Sequence, residues 1–586
     1  MILQSNFNKK PVIRVDEGYN SCFSGWESIF SQLKKKIEED SDGITTVVVE
    51  CYQGVFFDKL LLTFKDFIKP DRVITSQDFF LSEEEVKRIT FPDVTDDRIF
   101  GFLTRLHMED FTDHLKVQYN RNSIKDAAKG VILVFGYGAS LLVDEPTLLV
   151  YADMPRWEIQ LRMRSNQVDN LGIRNRDESI EAKYKRGFFV DWRVCDRLKK
   201  KLMNRWDYVL DTTRMDKPVM VAAKTFEKAL DKAISQPFSL MPYFDEGPWG
   251  GQWMKQVCNL DAEIDNYAWC FNCVPEENSL LFAFGETIFE TPSINLVFAR
   301  PRQLLGEAVH ARFGDEFPIR FDFLDTMGGG NLSLQVHPLT EYIQEKFGIH
   351  YTQDESYYLL DVGEGASVYL GLKEGTNPDQ MIFDLRKAQE NDEKFEAEKY
   401  VECWPANKHD HFLIPGGTVH CSGKNCLVLE ISSTPYIFTF KLWDWDRLGL
   451  DGKPRPINID HGINVIQWDR TTSWTKNNLI NRIRRVAQGD GWVEESTGLH
   501  EREFIETRRH WFSKKVLHQT NGKVNVLNLV EGREVVVESP THAFDPFIVH
   551  YAETFIVPAY VDEYTISPHG ESQGKRCATI KAFVRT

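Results

Sequence analysis

No apolar stretch in this 586-residue chain approaches the roughly 20 residues that a membrane-crossing helix needs. Residues 1–10 have no basic start followed by an apolar core, so no secretory leader is expected either. Positive charge is scarce. The 70 Lys and Arg face 87 Asp and Glu, a formal net charge of −17, which argues against broad binding to nucleic acid or to an anionic membrane. An anionic small molecule stays possible, because a local basic pocket overrides the global field. Cysteine is sparse, with ten residues scattered along the chain and only Cys270 and Cys273 closely spaced. A structural zinc would need a second such pair; the expectation is reduced thiols in a cytoplasmic protein. Short-period repeats and low-complexity tracts are absent too. What remains, 42% hydrophobic and 27% charged, is a globular chain too long for one core, which implies about three domains.

Residues 1–235 alternate helix-like segments, such as 25–38, with short apolar runs at 45–49, 131–135 and 147–151. Helices between continuous β-branched runs predict a parallel sheet covered on both faces. The strand-then-helix run 148–162 and the segment Gly136-Tyr-Gly-Ala-Ser-Leu-Leu142 resemble nucleoside and uridine kinases of the P-loop class. Such a kinase needs Gly-x-x-x-x-Gly-Lys-Ser/Thr after its first strand, so that bare backbone N–H groups wrap phosphate. Here residues 49–60 keep one glycine, Gly54, place the acid Glu50 at the strand exit, and have no hydroxyl after Lys59. The expectation for 1–235 is an α/β, P-loop-like domain that does not turn over nucleotide.

Beyond a Pro-punctuated connection at 237–247, short strand-like runs and turn residues predominate, which predicts an antiparallel barrel or jelly roll. One stretch within it stands out, Asn331-Leu-Ser-Leu-Gln-Val-His-Pro338. As a strand it puts Ser333, Gln335 and His337 on one face and Leu332, Leu334 and Val336 on the other. Gln335 and His337 then aim an amide oxygen and an imidazole nitrogen at one point, half of a metal site. The other half needs a carboxylate and a second imidazole. Glu355 opens the strand-like run 355–361, and His420 follows the turn Pro415-Gly-Gly417.

The ordered series Gln-Val-His-Pro, Glu-x-x-Tyr-x-Leu-Asp, Pro-x-Gly-Thr-x-His and Trp443-Asp-Trp-Asp-Arg447 resembles type I phosphomannose isomerase, a zinc-dependent cupin enzyme. Gly247-Pro-Trp-Gly-Gly251, Phe323-Leu-Asp325, Tyr369-Leu-Gly-Leu-Lys373 and Asp451-Gly-Lys-Pro-Arg455 extend the likeness, which covers about residue 240 to the C-terminus. The resemblance implies a catalytic cupin domain at 236–475 and a second, cupin-like β domain at 476–586, the latter opening on a helix-like stretch at 478–485. It further implies one Zn2+ per chain held by Gln335, His337, Glu355 and His420, with Ser333 beside the metal strand as a phosphate partner. The implied reaction interconverts mannose 6-phosphate and fructose 6-phosphate by moving a proton between C1 and C2 through an enediol.

Departures from the family pattern fall on its basic residues. Asp322 stands where the family usually has Lys before Phe-Leu-Asp, Gln353 replaces the Lys two residues before the glutamate, and Lys441 replaces an arginine. Lys keeps the charge but loses the planar fork of Arg. Arg320 and Lys373 are candidates to restore positive charge at the substrate, and Lys441 and Arg447 are the candidate catalytic cations. Three readings stand: an isomerase of a phosphorylated hexose, a zinc cupin isomerase of another sugar, phosphorylated or not, and a non-catalytic sugar-binding or regulatory protein. Small sugars, and neither nucleic acid nor membranes, are the expected partners; the sequence leaves the oligomeric state open.

Overall fold

The computed structural model describes residues 5–39, 43–391, 393–433, 438–448, 457–498, 501 and 503–586. The chain divides into two compact units: one comprises residues 1–11, 234–275 and 300–586, the other 12–233 and 276–299.

The smaller unit is built on a seven-stranded sheet in the order Cys22–Ser24, Val219–Ala222, Tyr208–Asp211, Leu148–Asp153, Ile44–Cys51, Gly130–Gly136 and Arg72–Thr75. The five strands from Tyr208–Asp211 to Arg72–Thr75 run parallel and the first two are antiparallel additions. Ile44–Cys51 is almost wholly buried because helices cover both faces of the sheet. Helix Trp26–Glu39 buries Ile29, Phe30 and Leu33, and Phe57–Ile68 buries Leu60 and Phe64, the i, i+4 spacing of an apolar stripe.

The exit of the central strand is closed by side chains. Both carboxylate oxygens of Glu50 accept backbone N–H groups, from Gly138 at 2.7 Å and Ser140 at 2.9 Å, and burial lifts this carboxyl to about 7. The Arg162 guanidinium lies over the Phe56 ring and donates to the carbonyls of Gly54, Thr212 and Thr213 at 2.9, 2.9 and 3.0 Å. A single break near 235 does not describe the chain, because residues 276–299 return to this unit. Their hairpin, Ser279–Phe284 with Thr287–Pro292, takes Ile13–Arg14 as a third strand. Asn295 anchors the return: it donates to Asp153 at 2.7 Å, while Lys199 donates to the same carboxylate at 2.8 Å. No spacing in the sequence announces this long-range pairing.

The larger unit is antiparallel throughout its four sheets. A six-stranded sheet (His411–Ile414, Glu355–Val362, Cys426–Ser433, Ile319–Asp325, Trp269–Cys273, Tyr243–Asp245) pairs with a five-stranded one (Val401–Pro405, Ser367–Leu372, His420–Ser422, Leu334–Val336, Phe440–Trp443). A second six-stranded sheet, Arg484–Gly489 to Thr554–Val557, faces a four-stranded one. Leu527, Leu529 and Phe555 of the former share a core with Val535, Val537 and Ile566 of the latter. The helix expected at 478–485 is absent: helix Thr472–Asn478 ends there, and Arg484–Gly489 is instead a strand hydrogen-bonded to Trp492–Gly498. The i, i+3 spacing of its apolar residues is overridden by that ladder. In the glycine run before the metal strand, a Cβ on Gly329 would lie 2.3 Å from the Trp249 carbonyl oxygen, so its small size serves backbone packing. Among the described residues no helix is long and apolar enough to cross a membrane.

Candidate metal centre

The residues singled out as metal ligands arrive on three strands of two different sheets. Leu334–Val336 and His420–Ser422 are neighbours in the five-stranded sheet, where Gln335 pairs directly with His420. Glu355 opens a strand of the six-stranded sheet and pairs with Ser432 and Ile414. The turn at 415–417 ties these segments: Gly417 N–H donates to the His337 carbonyl at 2.8 Å, and Gly416 N–H donates to Asp354 at 2.8 Å. Gly417 has φ +86, and a Cβ there would meet Gln467 Cγ at 2.7 Å and the Val465 carbonyl at 2.8 Å, so only glycine suits the turn.

The donor atoms converge. His337 Nε2 lies 3.2 Å and His420 Nε2 2.7 Å from Glu355 Oε1, with all three side chains fully buried. The Gln335 amide reaches to 3.2 Å from His420 Nε2, and half a turn about its last bond aims its oxygen at the same point. The other ring nitrogens are engaged, His337 Nδ1 with the Phe438 carbonyl at 2.9 Å and His420 Nδ1 with the Thr418 carbonyl at 2.8 Å. A carbonyl accepts only from N–H, so both rings carry their proton on Nδ1 and turn the Nε2 lone pair inward, the orientation of metal-ligating imidazoles.

The surroundings suit a divalent cation. His337 Nε2 and Glu355 Oε1 are buried with no hydrogen-bond partner, a costly state unless an ion meets them. His337, Glu355 and His420 are the group of potential metal ligands found among the described residues. Around them Asp322, Glu430 and Glu355 face one guanidinium, Arg320, all buried. Burial pushes Asp322 up to about 6 and Glu430 well above its usual value, in each case against the pull of Arg320.

The remaining candidate residues divide. Lys441 is the direct ladder partner of Gln335, so its side chain leaves the same sheet face as that ligand. Arg320 is buried; its Nε donates to Asp322 at 3.0 Å and a terminal nitrogen to Glu430. Ser333 and Arg447 meet elsewhere, on Asp444: Ser333 Oγ donates to Oδ1 at 2.6 Å and Arg447 donates to the same oxygen at 2.6 Å. Arg447 also donates to the Asn331 carbonyl at 2.6 Å. Lys373 follows the strand Ser367–Leu372, beyond the Leu370 that pairs with His420, and its N–H donates to the Tyr400 carbonyl at 2.8 Å. The motif at 451–455 lies outside the described residues.

Two neighbours of the ligands, Glu430 and Tyr357, were not singled out from the sequence, and Gln353 was read only as a lost cation. Gln353 donates to Glu355 Oε2 at 3.1 Å and so leaves Oε1 for the centre. Glu430 accepts from Ser432 at 2.9 Å. Tyr357 shares the strand face of Glu355 and sets its ring edge-on to His420, with centroids 5.8 Å apart. Period-two alternation from Glu355 was the available signal for Gln353 and Tyr357. A lone acid in the apolar run 426–433 was the signal for Glu430.

Residues 25–235 match a family described as a domain of unknown function, DUF8485. The mannose-6-phosphate isomerase ManA of Bacillus subtilis is 26% identical over 234 residues, which are 40% of this chain and 69% of that protein. Among solved structures, the mannose 6-phosphate isomerase from Bacillus subtilis aligns with a TM-score of 0.48 at 19% identity, over 59% of this chain and 99% of that one. A mannose 6-phosphate isomerase bound with zinc and yttrium aligns with a TM-score of 0.45 at 14% identity, over 60% of this chain and 100% of that one.

Proposed function

We propose that this protein is a zinc-dependent aldose–ketose isomerase that interconverts mannose 6-phosphate and fructose 6-phosphate by proton transfer through an enediol. The observation that carries the reading is the convergence of His337 Nε2, His420 Nε2 and Glu355 Oε1 on one buried point, with the Gln335 amide beside them. Nitrogen and oxygen donors in that ratio fit zinc with a position left for substrate or water. The sequence likeness to an isomerase supports the same conclusion.

When bound, the ion supplies Lewis acidity toward the sugar's carbonyl and hydroxyl oxygens. The chain supplies the rest. The Nδ1–H bonds of His337 and His420 fix the donor rings, and Gln353 fixes the Glu355 carboxylate. Lys441, on the face of Gln335, is our candidate for the positive charge that meets the oxygen becoming negative as the enediol forms. Glu430, one ladder position from Glu355 on the same sheet face, is the acid–base candidate for the proton moved between the sugar carbons. The second, unphosphorylated-sugar reading is favoured by two pairings, Ser333 with Asp444 and Arg320 with Asp322 and Glu430, which commit these groups to carboxylates.

Isomerisation of mannose 6-phosphate and of free mannose, with zinc restored and then chelated, tests the two together. Zinc-dependent turnover of the phosphosugar is expected; turnover of free mannose alone selects the second reading, and no turnover of either sinks both. For the 25–235 region we infer a kinase-like relic without nucleotide turnover, since Glu50 and Arg162 occupy the strand exit. A cytoplasmic setting accords with ten cysteines that form no disulfide.

A further inference from the structure

We infer that Tyr357, Asp322 and Gln353 form a hydroxyl-binding wall beside the metal centre that grips the carbon chain of the sugar; the inference rests on the isomerase reading for the identity of the ligand.

Buried polar atoms without a hydrogen-bond partner concentrate inside the first barrel. Besides His337 Nε2 and Glu355 Oε1, which an ion satisfies, they include Tyr357 Oη, Asp322 Oδ2 and Gln353 Oε1. Each such atom costs about 1–3 kcal/mol when left unmet, and three on one wall call for a partner from outside the chain.

The three share a wall by register. Tyr357 pairs with Glu430 across the ladder, and Glu430 pairs with Asp322, so these side chains form one row on one sheet face. The adjacent row holds Glu355, Ser432 and Arg320. Gln353 reaches across from the segment just before the Glu355 strand. Its amide nitrogen is spent on Glu355 at 3.1 Å and Glu430 at 3.4 Å, which fixes the orientation and turns Oε1 away from both carboxylates. Asp322 is likewise held at one end only, its Oδ1 accepting from Arg320 at 3.0 Å while Oδ2 is left over.

The chemistry of the wall selects its partner. Tyr357 presents a donor, and Asp322 and Gln353 present acceptors. Adjacent hydroxyls, each able to donate and accept, satisfy all three. A phosphate, which only accepts at neutral pH, satisfies Tyr357 but meets Asp322 as a like charge. The wall therefore faces the hydroxylated carbons, and any phosphate lies at the other end of the ligand. Asp322 and Gln353 are two of the positions where this chain departs from the family's lysines, so the exchange of cations for acceptors changes what the site grips.

The test uses zinc-loaded full-length protein and two polyols that lack a carbonyl, D-mannitol 1-phosphate and D-mannitol, titrated by calorimetry. Tyr357→Phe is expected to weaken binding about tenfold, the loss of one buried hydrogen bond. The variant should keep wild-type zinc content and melt no lower than wild type without ligand, because an unmet hydroxyl is removed. The near-ultraviolet tyrosine difference spectrum that accompanies polyol binding should shrink in the variant. Unchanged affinity and spectrum in Tyr357→Phe overturn the inference, as does loss of zinc or of folding in that variant, or failure of both polyols to bind wild type. Wild-type protein that binds the polyols through Tyr357 but does not isomerise mannose 6-phosphate refutes the isomerase reading and leaves the wall standing.

Discussion

Gln335 and Lys441 are direct partners across an antiparallel ladder, so a metal-ligand candidate and a candidate catalytic cation leave the sheet on the same face. If that cation stabilises the developing negative oxygen, Lys441→Met should lower kcat by about 10²-fold or more, the usual loss on removing one such group. Zinc content should be unchanged. Full turnover by the variant would return Lys441 to the role of a surface residue.

His337→Ala removes one of three converging donors. Partners one shell further out already cost 10–100-fold in metal affinity when removed, so zinc affinity should fall by more than about 100-fold. Metal analysis after dialysis reads this directly, and stoichiometric zinc in the variant would refute the ligand assignment.

Gly417→Ala tests the turn that joins two ligand segments. At φ +86, with carbonyl and side-chain atoms under 3 Å from the added Cβ, the substitution should cost about 1–3 kcal/mol. Because Gly417 N–H holds the His337 carbonyl, zinc affinity should drop with the melting temperature. An alanine variant with wild-type zinc affinity would show that the turn does not position the ligand.

Glu50 gives the smaller unit a pH dependence. Its pKa is raised to about 7 by burial, against its bonds from Ser140 and Gly138. The folded state therefore binds its proton more tightly than the unfolded chain. That contribution is fully present below about pH 4 and is lost as pH rises through about 7, roughly 2–4 kcal/mol in all. Amide hydrogen exchange over residues 130–141, corrected for intrinsic rates, should show less protection at pH 8 than at pH 5. Glu50→Gln should flatten the difference; an unaltered pH dependence in the variant would exclude Glu50 as its source.

ATP offers a check on the 25–235 region. With Arg162 donating to the Gly54 carbonyl and Glu50 holding the neighbouring N–H groups, binding at micromolar affinity is not expected by calorimetry. Observing it would overturn the relic inference.

Local chemistry made much of this legible. Continuous β-branched runs gave the parallel strands, and alternation with turn residues gave the antiparallel sheets, because one strand's burial is written in its own side chains. The ligand candidates could be found because Gln335 and His337 sit two apart on one strand and Glu355 and His420 each begin another. What escaped depends on partners distant in sequence. The excursion of 276–299 is set by Asn295 meeting Asp153. Strand Arg484–Gly489, which begins inside the helix-like stretch 478–485, is set by its neighbour. Arg320 is drawn toward Asp322 and Glu430 by a cross-strand register that no single segment records.

The path of the chain has a consequence for its handling. Because residues 276–299 leave the larger unit and come back, and residues 1–11 belong to it as well, no single cut yields two complete parts. Expression of 1–235 alone would strip Ile13–Arg14 of its sheet partner. A nick at 234 would leave the hairpin Ser279–Phe284 with Thr287–Pro292 on the fragment that does not contain the rest of its unit.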